Sequence, residues 1–195
     1  MGKYVAKTAV ITVLCLLGAL IVIFFALFLF SPKTLGNDFK AMGNKSAAAF
    51  FYSRQYKKTG SSSDLAVLID IYDAKTDSGK AYAYSLELTG KPDFAAFCEQ
   101  KDAGRTAGVT TSEYYYAKYA ISAYYAKGID ACVEICTESV AISGYTGFNA
   151  FRYVLTAVRL TAADKAEMRD KIDELIATSL TETEKYYATA DRDSL

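Results

Sequence analysis

The side chains best suited to chemistry are the cysteines, and their spacing limits what they can do. Cys132 and Cys136 lie one helical turn apart, with no second pair and no histidine in the chain. Structural zinc sites usually combine two closely spaced pairs of cysteine or histidine ligands, so this single pair is a poor zinc signal and no zinc site is predicted. Cysteine is among the most frequently buried residue types, so we interpret Cys98, Cys132 and Cys136 as packed free thiols. A disulfide from Cys98 to either of the others stays open.

The absence of histidine removes the most common catalytic arrangements. Serine–histidine and cysteine–histidine pairs cannot form. Residues 77–80, Asp-Ser-Gly-Lys, lack the earlier glycine and the following serine or threonine of a phosphate-binding loop. A calcium loop beginning at Asp73 would need a bidentate glutamate where Tyr84 stands. We therefore predict a non-enzymatic protein with no catalytic, metal-binding or cofactor-binding residues. A hydrolase with an unrecognised site, such as a serine–lysine dyad, is the remaining catalytic alternative.

Residues 9–30 form a continuous apolar stretch, AVITVLCLLGALIVIFFALFLF. A helix of this length reaches about 33 Å, against about 30 Å for a bilayer's hydrocarbon core. Bulky residues stand at the end of the stretch, where signal peptidase requires small ones, which favours an uncleaved anchor over a signal peptide. We expect a tail at 1–8, a transmembrane helix at 9–30 and a linker at 31–36, with membrane lipid as a partner.

The side of the membrane is predicted from the flanks of this stretch. Lys3 and Lys7 precede it and three lysines follow within 15 residues, so the positive-inside rule barely discriminates. Because a short tail before a first anchor usually stays in the cytoplasm, residues 31–195 are expected to be extracytoplasmic.

Small side chains recur along one side of the apolar stretch at alternating intervals of three and four residues. They include Cys15, Ala19, Val22 and Ala26. Small residues let two helices approach closely in lipid, where contact between helices drives association. This seam predicts a helix partner within the membrane, although such residues are also common in spanning helices generally.

Beyond the linker, the chain reads as a succession of helices. Residues 31–195 carry 20 basic and 22 acidic residues, which argues against a nucleic-acid partner. Apolar residues recur at helical spacing and strand alternation is nowhere sustained, so an all-α domain is predicted for 37–190, followed by a frayed end at 191–195. Capping boxes are predicted at Ser61/Asp64, Thr161/Asp164 and Thr181/Glu184. Helices are expected over 38–58, 80–88, 112–127, 130–143 and 147–160, and after the start signals at Ser61, Pro92, Thr161 and Thr181, with a loop at 103–111.

One stretch carries a repeat-like pattern. Its first helix places apolar and aromatic residues at fixed intervals, an alanine follows nine residues later, and a proline ends the unit: Leu65, Leu68, Ile69, Tyr72, Ala81 and Pro92. This pattern resembles one tetratricopeptide repeat. Leu65 replaces the usual tryptophan, Ile69 the glycine and Ser85 the phenylalanine. A weaker echo at 117–135 begins 52 residues later, not at the family's 34-residue period.

The resemblance implies a stack of antiparallel α-hairpins, an α-solenoid, with a concave surface for protein segments. We therefore predict a membrane-anchored helical-repeat protein that binds a protein partner near the membrane. The alternative is a structural or accessory subunit of a membrane complex, engaged through its transmembrane helix.

Six of the 16 tyrosines crowd the helix predicted at 112–127. Tyr115 and Tyr119 share one face, while Tyr114, Ile121 and Tyr125 share a second. Exposed tyrosines are enriched at binding surfaces, so Tyr115 and Tyr119 are predicted to line a groove for a partner segment. The alternative is that these rings pack between hairpins.

Overall fold

A computed structural model describes the backbone of residues 2–105 and 107–195 and, outside 2–7 and 30, their side chains. Within these residues it contains eleven α-helices and no strand, which confirms the all-α prediction. The chain divides into two compact units, Met1–Gly60 and Ser61–Leu195. The helices are α1 Gly2–Phe30, α2 Pro32–Ala41, α3 Lys45–Thr59, α4 Ser62–Ala74, α5 Ser78–Thr89, α6 Phe94–Asp102, α7 Thr111–Lys127, α8 Ile129–Ser143, α9 Ala150–Ala157, α10 Ala162–Thr178 and α11 Glu182–Asp193.

The first unit contains the apolar helix and two shorter helices. Within α1, Thr8–Leu29 is long and apolar enough to cross a membrane, and none of it is buried in the protein. This confirms the predicted apolar helix, and its exposed side chains are those expected of a segment that faces lipid.

The segment after α1 differs from the sequence prediction in two ways. The predicted linker 31–36 belongs largely to α2, which begins at Pro32, a residue that suits the first turn of a helix. The single helix expected over 38–58 is broken at 42–44, where Gly43 has a positive φ of 75° and the Asn44 side chain caps α3. Both signals stand in the sequence, and each favours a break over a continuous helix.

Helices α2 and α3 pack closely on each other. A Cβ added at Gly36 would lie 3.0 Å from the Tyr52 ring, so a larger residue there would have to push this ring aside. The rings of Phe39 and Phe51 stack 5.4 Å apart, and the Tyr52 hydroxyl donates a hydrogen bond to Asn37. These contacts fix α3 against α2.

In the second unit, α7 is the central helix and contacts α4, α5, α6, α8 and α9. Its neighbours contribute fully buried apolar side chains, among them Leu68 and Ile69 on α4 and Phe151 on α9. Helix α10 packs on α8 and α11 through a face that includes Ile172. The core therefore surrounds α7 on several sides.

Two of the three predicted capping boxes form, at Thr161/Asp164 and Thr181/Glu184. Helix α4 begins where predicted, but the Ser61 side chain makes no capping hydrogen bond to it, and the Asp64 side chain is buried. A further box, Thr110 with Glu113, opens α7 at the end of the predicted loop.

The structure also bears on the predictions made for the cysteines and for the C-terminal end. All four cysteines are free, and Cys98, Cys132 and Cys136 are buried, as the packed-thiol interpretation predicts. Burial and, secondarily, the charge of Asp102 raise the pKa of Cys98 to about 11. The frayed end is predicted at 191–195, whereas in the structure α11 continues to Asp193 and Asp191 is buried.

Candidate binding surface on helix α7

The start of α7 is held by carboxylates on both sides. The Thr110 side chain accepts from the backbone of Glu113, and the Glu113 carboxylate accepts from the Thr110 backbone at 2.8 Å. Asp102 of α6 accepts from the Thr111 backbone nitrogen at 2.9 Å and from its hydroxyl at 2.6 Å. These contacts satisfy amides that a helix start otherwise leaves unpaired, and they fix the orientation of α7.

Tyr115, Tyr116 and Tyr119 lie in the core of the second unit. Tyr115 and Tyr119 are only 8% and 5% exposed. The Tyr115 ring lies 6.0 Å from Phe97, and the Tyr119 ring lies 5.5 Å from Tyr82. Burial, the largest cause, raises the pKa of all three phenols.

The structure therefore favours core packing for Tyr115 and Tyr119, which the sequence left as the alternative to partner binding. A partner segment would meet less than a tenth of either side chain. The physical reason is that α5 and α6 cover the side of α7 on which these two rings lie, which helical periodicity alone cannot reveal.

The accessible side of α7 is a different one, formed by Tyr114, Lys118, Ile121 and Tyr125, and we call it the tyrosine face. Tyr114 is 39% exposed and Tyr125 is 58% exposed. Because residues at intervals of four, three and four share one side of a helix, the four side chains form one row. The row is about 16 Å long at 1.5 Å per residue.

A charged cluster lies at the middle of the tyrosine face. The Lys118 ammonium lies 2.5 Å from an Asp73 oxygen and 3.3 Å from an Asp70 oxygen. The Tyr114 hydroxyl donates to Asp70 at 3.0 Å. Burial opposes the charge on Lys118, but the hydrogen bond that Lys118 donates to Asp73 and the charges of the two aspartates outweigh burial and raise the pKa of Lys118. This cluster fixes α4 against α7 and keeps a polar centre on the face.

Two open pockets lie at the ends of the tyrosine face. One, of about 380 Å³, is lined by Tyr114 and by the cationic side chains of Lys101 and Arg105. The other, of about 340 Å³, is lined by Tyr125, Ile121 and the start of α5. Exposed tyrosine rings beside pockets, with hydrogen-bonding groups between them, are features that binding surfaces often share.

The remaining site predictions fall outside this surface. Cys15, Ala19, Val22 and Ala26 are all exposed on α1, which leaves the seam open to a partner helix. In the part of the chain that the structure describes, no group of three or more histidine, cysteine, aspartate or glutamate side chains is arranged to hold a metal ion. No protein family, curated protein or solved structure matches the chain.

Proposed function

We propose that this chain is a single-pass membrane protein whose second unit, Ser61–Leu195, binds a short extended segment of a partner protein on the tyrosine face. It is anchored by α1, acts without catalysis and holds the partner near the membrane. The observation that carries the proposal is the exposure of Tyr114 and Tyr125 near the two ends of a helix whose other side is buried. Exposed tyrosine rings beside pockets offer a partner large contact area and a hydroxyl.

The dimensions of the face define the partner segment. An extended chain advances about 3.3 Å per residue, so about five residues span the roughly 16 Å between Tyr114 and Tyr125. The segment would place apolar side chains in the end pockets. Its backbone would lie over the Lys118–Asp70–Asp73 cluster, which offers both donors and acceptors.

The tetratricopeptide-like arrangement is part of this proposal. Helices α4 and α5 pack on each other, and they are the two helices of the matched repeat. Ala81, at the family's small position, is only 2% exposed, and the Tyr72 and Tyr84 rings stack 5.6 Å apart. The weaker echo falls on α7 and α8, which also pack together. These contacts support a hairpin stack in which α7 contributes to the concave surface.

Site-specific photo-cross-linking in the full-length protein in its own membrane tests the proposal. A photoreactive phenylalanine analogue replaces Tyr114, Tyr125 or, as the control, Tyr186, which is 73% exposed on α11. We expect the same cross-linked species from Tyr114 and Tyr125, lost when Lys118→Glu reverses the central charge, and none from Tyr186. Equal cross-linking at all three positions would contradict a binding surface on α7.

The subunit alternative gives a different result. If the partner engages only the anchor, cross-links should arise from α1 positions and none from Tyr114 or Tyr125. Exchanging residues 9–30 for an unrelated spanning helix would abolish that association, whereas it would leave a complex on the tyrosine face intact.

A further inference from the structure

Helix α3 has an exposed face that combines one aromatic ring with three cations. Phe50, Arg54, Lys57 and Lys58 follow one another at intervals of four, three and one residues, which places them on one side of the helix. All four are exposed, and Phe50 is 56% exposed. We call this the basic face of α3.

The basic face begins at the end of the apolar helix. Phe28 lies in the last turn of the stretch 9–30, and its ring stacks 6.3 Å from the ring of Phe50. The guanidinium carbon of Arg54 lies 4.3 Å from the centre of the Phe28 ring, a cation–π contact. If α1 spans the bilayer, Phe50 and Arg54 lie where the hydrocarbon core meets the headgroups.

The chain as a whole has a net charge of zero, but its charged residues are unevenly distributed. Residues 31–60 carry six basic residues and only Asp38 as an acid, a net charge of +5. Residues 61–195 carry 14 basic and 21 acidic residues, a net charge of −7. The positive charge next to the anchor is therefore a local property of α2 and α3.

We propose that the basic face of α3 binds anionic phospholipid headgroups in the leaflet that surrounds the C-terminal end of α1. The proposal rests on the membrane-spanning role of α1 in the proposed function. Arg54, Lys57 and Lys58 supply the charge complementarity, since each basic residue near an anionic surface strengthens membrane attachment about fivefold. Phe50 continues the apolar surface of Phe28 to the acyl chains, and packing against α2 keeps the face in place.

The partner is lipid and not a soluble acidic protein because the face is continuous with the anchor. Arg54 touches a residue of the spanning helix itself, so the lipids around α1 are already its neighbours. A soluble ligand would have to displace those lipids from the same contact.

Lipid selectivity of the full-length protein in vesicles tests the proposal. Electron paramagnetic resonance measures the association of spin-labelled phosphatidylglycerol relative to spin-labelled phosphatidylcholine. We expect a preference of at least about threefold for the anionic lipid. It should shrink in 1 M salt, where the screening length falls to about 3 Å. The variant with Arg54→Gln, Lys57→Gln and Lys58→Gln should lose most of the preference.

The matched control replaces three exposed basic residues of the second unit with glutamine, namely Lys127, Arg159 and Arg169. It removes the same charge and should leave the preference unchanged. An equal loss in both variants, or no loss in the α3 variant, would overturn the proposal. If circular dichroism shows that the triple α3 variant has lost helicity, the single substitutions Lys57→Gln and Lys58→Gln replace it, and each must lower the preference for the anionic lipid. Unchanged selectivity in both single variants would equally overturn the proposal.

Two further measurements separate failure here from failure of the proposed function. Retention of the protein in the membrane after alkaline carbonate extraction tests spanning by α1 alone. Cross-linking from Tyr125 tests the tyrosine face, and it should be unaffected by the α3 substitutions. The triple α3 variant should lose its lipid selectivity, while it stays in the membrane after carbonate extraction and still cross-links from Tyr125.

Discussion

Arg152 on α9 and Asp191 on α11 form an ion pair in which the arginine Nε and Nη2 each lie 2.8 Å from the aspartate Oδ1. Asp191 is only 4% exposed, and its other oxygen accepts from the Tyr145 hydroxyl at 3.1 Å. Near the same turn, the Glu184 carboxylate accepts from the Tyr145 backbone at 3.0 Å. The last helix is therefore fixed to the α8–α9 connection by two carboxylates.

The first prediction concerns this pair. Asp191→Ala leaves the partly buried Arg152 guanidinium and the Tyr145 hydroxyl without their acceptor. It should lower the free energy of unfolding by about 3 kcal/mol, the scale for breaking a buried pair. Thermal unfolding of the full-length protein in detergent, followed by circular dichroism, measures the change.

The control for this prediction is Asp193→Ala, two residues away. The Asp193 side chain is 63% exposed, and its pair with Arg192 joins neighbouring residues on the surface. Exposed pairs contribute at most about 1 kcal/mol, so the effect should be small. Equal destabilisation by both substitutions would show that the Arg152–Asp191 pair has no special role.

Asp191 also shows where sequence reasoning reaches its limit. Residues 191–195 read Asp-Arg-Asp-Ser-Leu, a polar end with no apolar residue before the last position, which is typical of a frayed terminus. The burial of Asp191 depends on Arg152 and Tyr145, which lie about 40 residues earlier in the chain. Such pairing between distant residues leaves no local pattern.

Features set by neighbouring residues were predictable, and those set by distant packing were not. Gly60 ends α3 with a positive φ of 63°, and the Thr161 box opens α10, as local capping rules predict. The accessible side of α7 was not predictable, because tyrosines occupy several of its sides. Only the positions of α5, α6 and α8 decide that Tyr119 is buried and Tyr125 is exposed.

The second prediction tests that division of the tyrosines. Tyr119→Ala should lower the free energy of unfolding by about 3–5 kcal/mol, because it removes a large ring from the core. Tyr125→Ala should change it by less than about 0.5 kcal/mol and should instead reduce partner binding. A stable Tyr119→Ala variant that no longer bound a partner would restore the groove predicted from sequence at Tyr115 and Tyr119.

The third prediction is a loss of stability in acid. In the folded protein the carboxylate of Asp164 accepts from the backbone and the hydroxyl of Thr161, and that of Glu184 accepts from the hydroxyl and the backbone of Thr181. These hydrogen bonds lower the pKa of each carboxyl below its ordinary value of 3.8 for Asp164 and 4.5 for Glu184. The unfolded chain therefore binds protons more tightly, and acid favours unfolding. Their contribution should be complete above about pH 5 and should disappear as the pH falls through the lowered values.

Melting temperatures measured between pH 7 and pH 3 check this dependence. The variant with Asp164→Asn and Glu184→Gln should melt at a lower temperature at pH 7 and show a shallower decline in acid. Glu182→Gln, a substitution at an exposed carboxylate on α11, serves as the control and should leave the slope unchanged. An identical slope in all three proteins would exclude the capping carboxylates as its source.

The fourth prediction concerns the side of the membrane. From the short basic tail, residues 31–195 are expected to lie outside the cytoplasm. Thr183→Cys introduces an exposed thiol on α11, while Cys98, Cys132 and Cys136 are buried and Cys15 lies within the apolar helix. An impermeant thiol reagent should therefore label the variant in intact cells and leave the parent protein unlabelled. Labelling only after lysis would place the second unit in the cytoplasm, where the six basic residues of 31–60 would satisfy the positive-inside rule.

The last prediction concerns the small-residue seam of α1. Cys15, Ala19, Val22 and Ala26 are all exposed, so a second helix could approach along them. Ala19→Leu and Ala26→Leu should each weaken lateral association, because the larger side chains hold two backbones apart where close contact drives pairing. Phe24→Leu, a change away from the seam, should have much less effect. Cross-linking in native membranes measures the association, and equal losses from the seam and from Phe24 would mean that α1 has no preferred contact side.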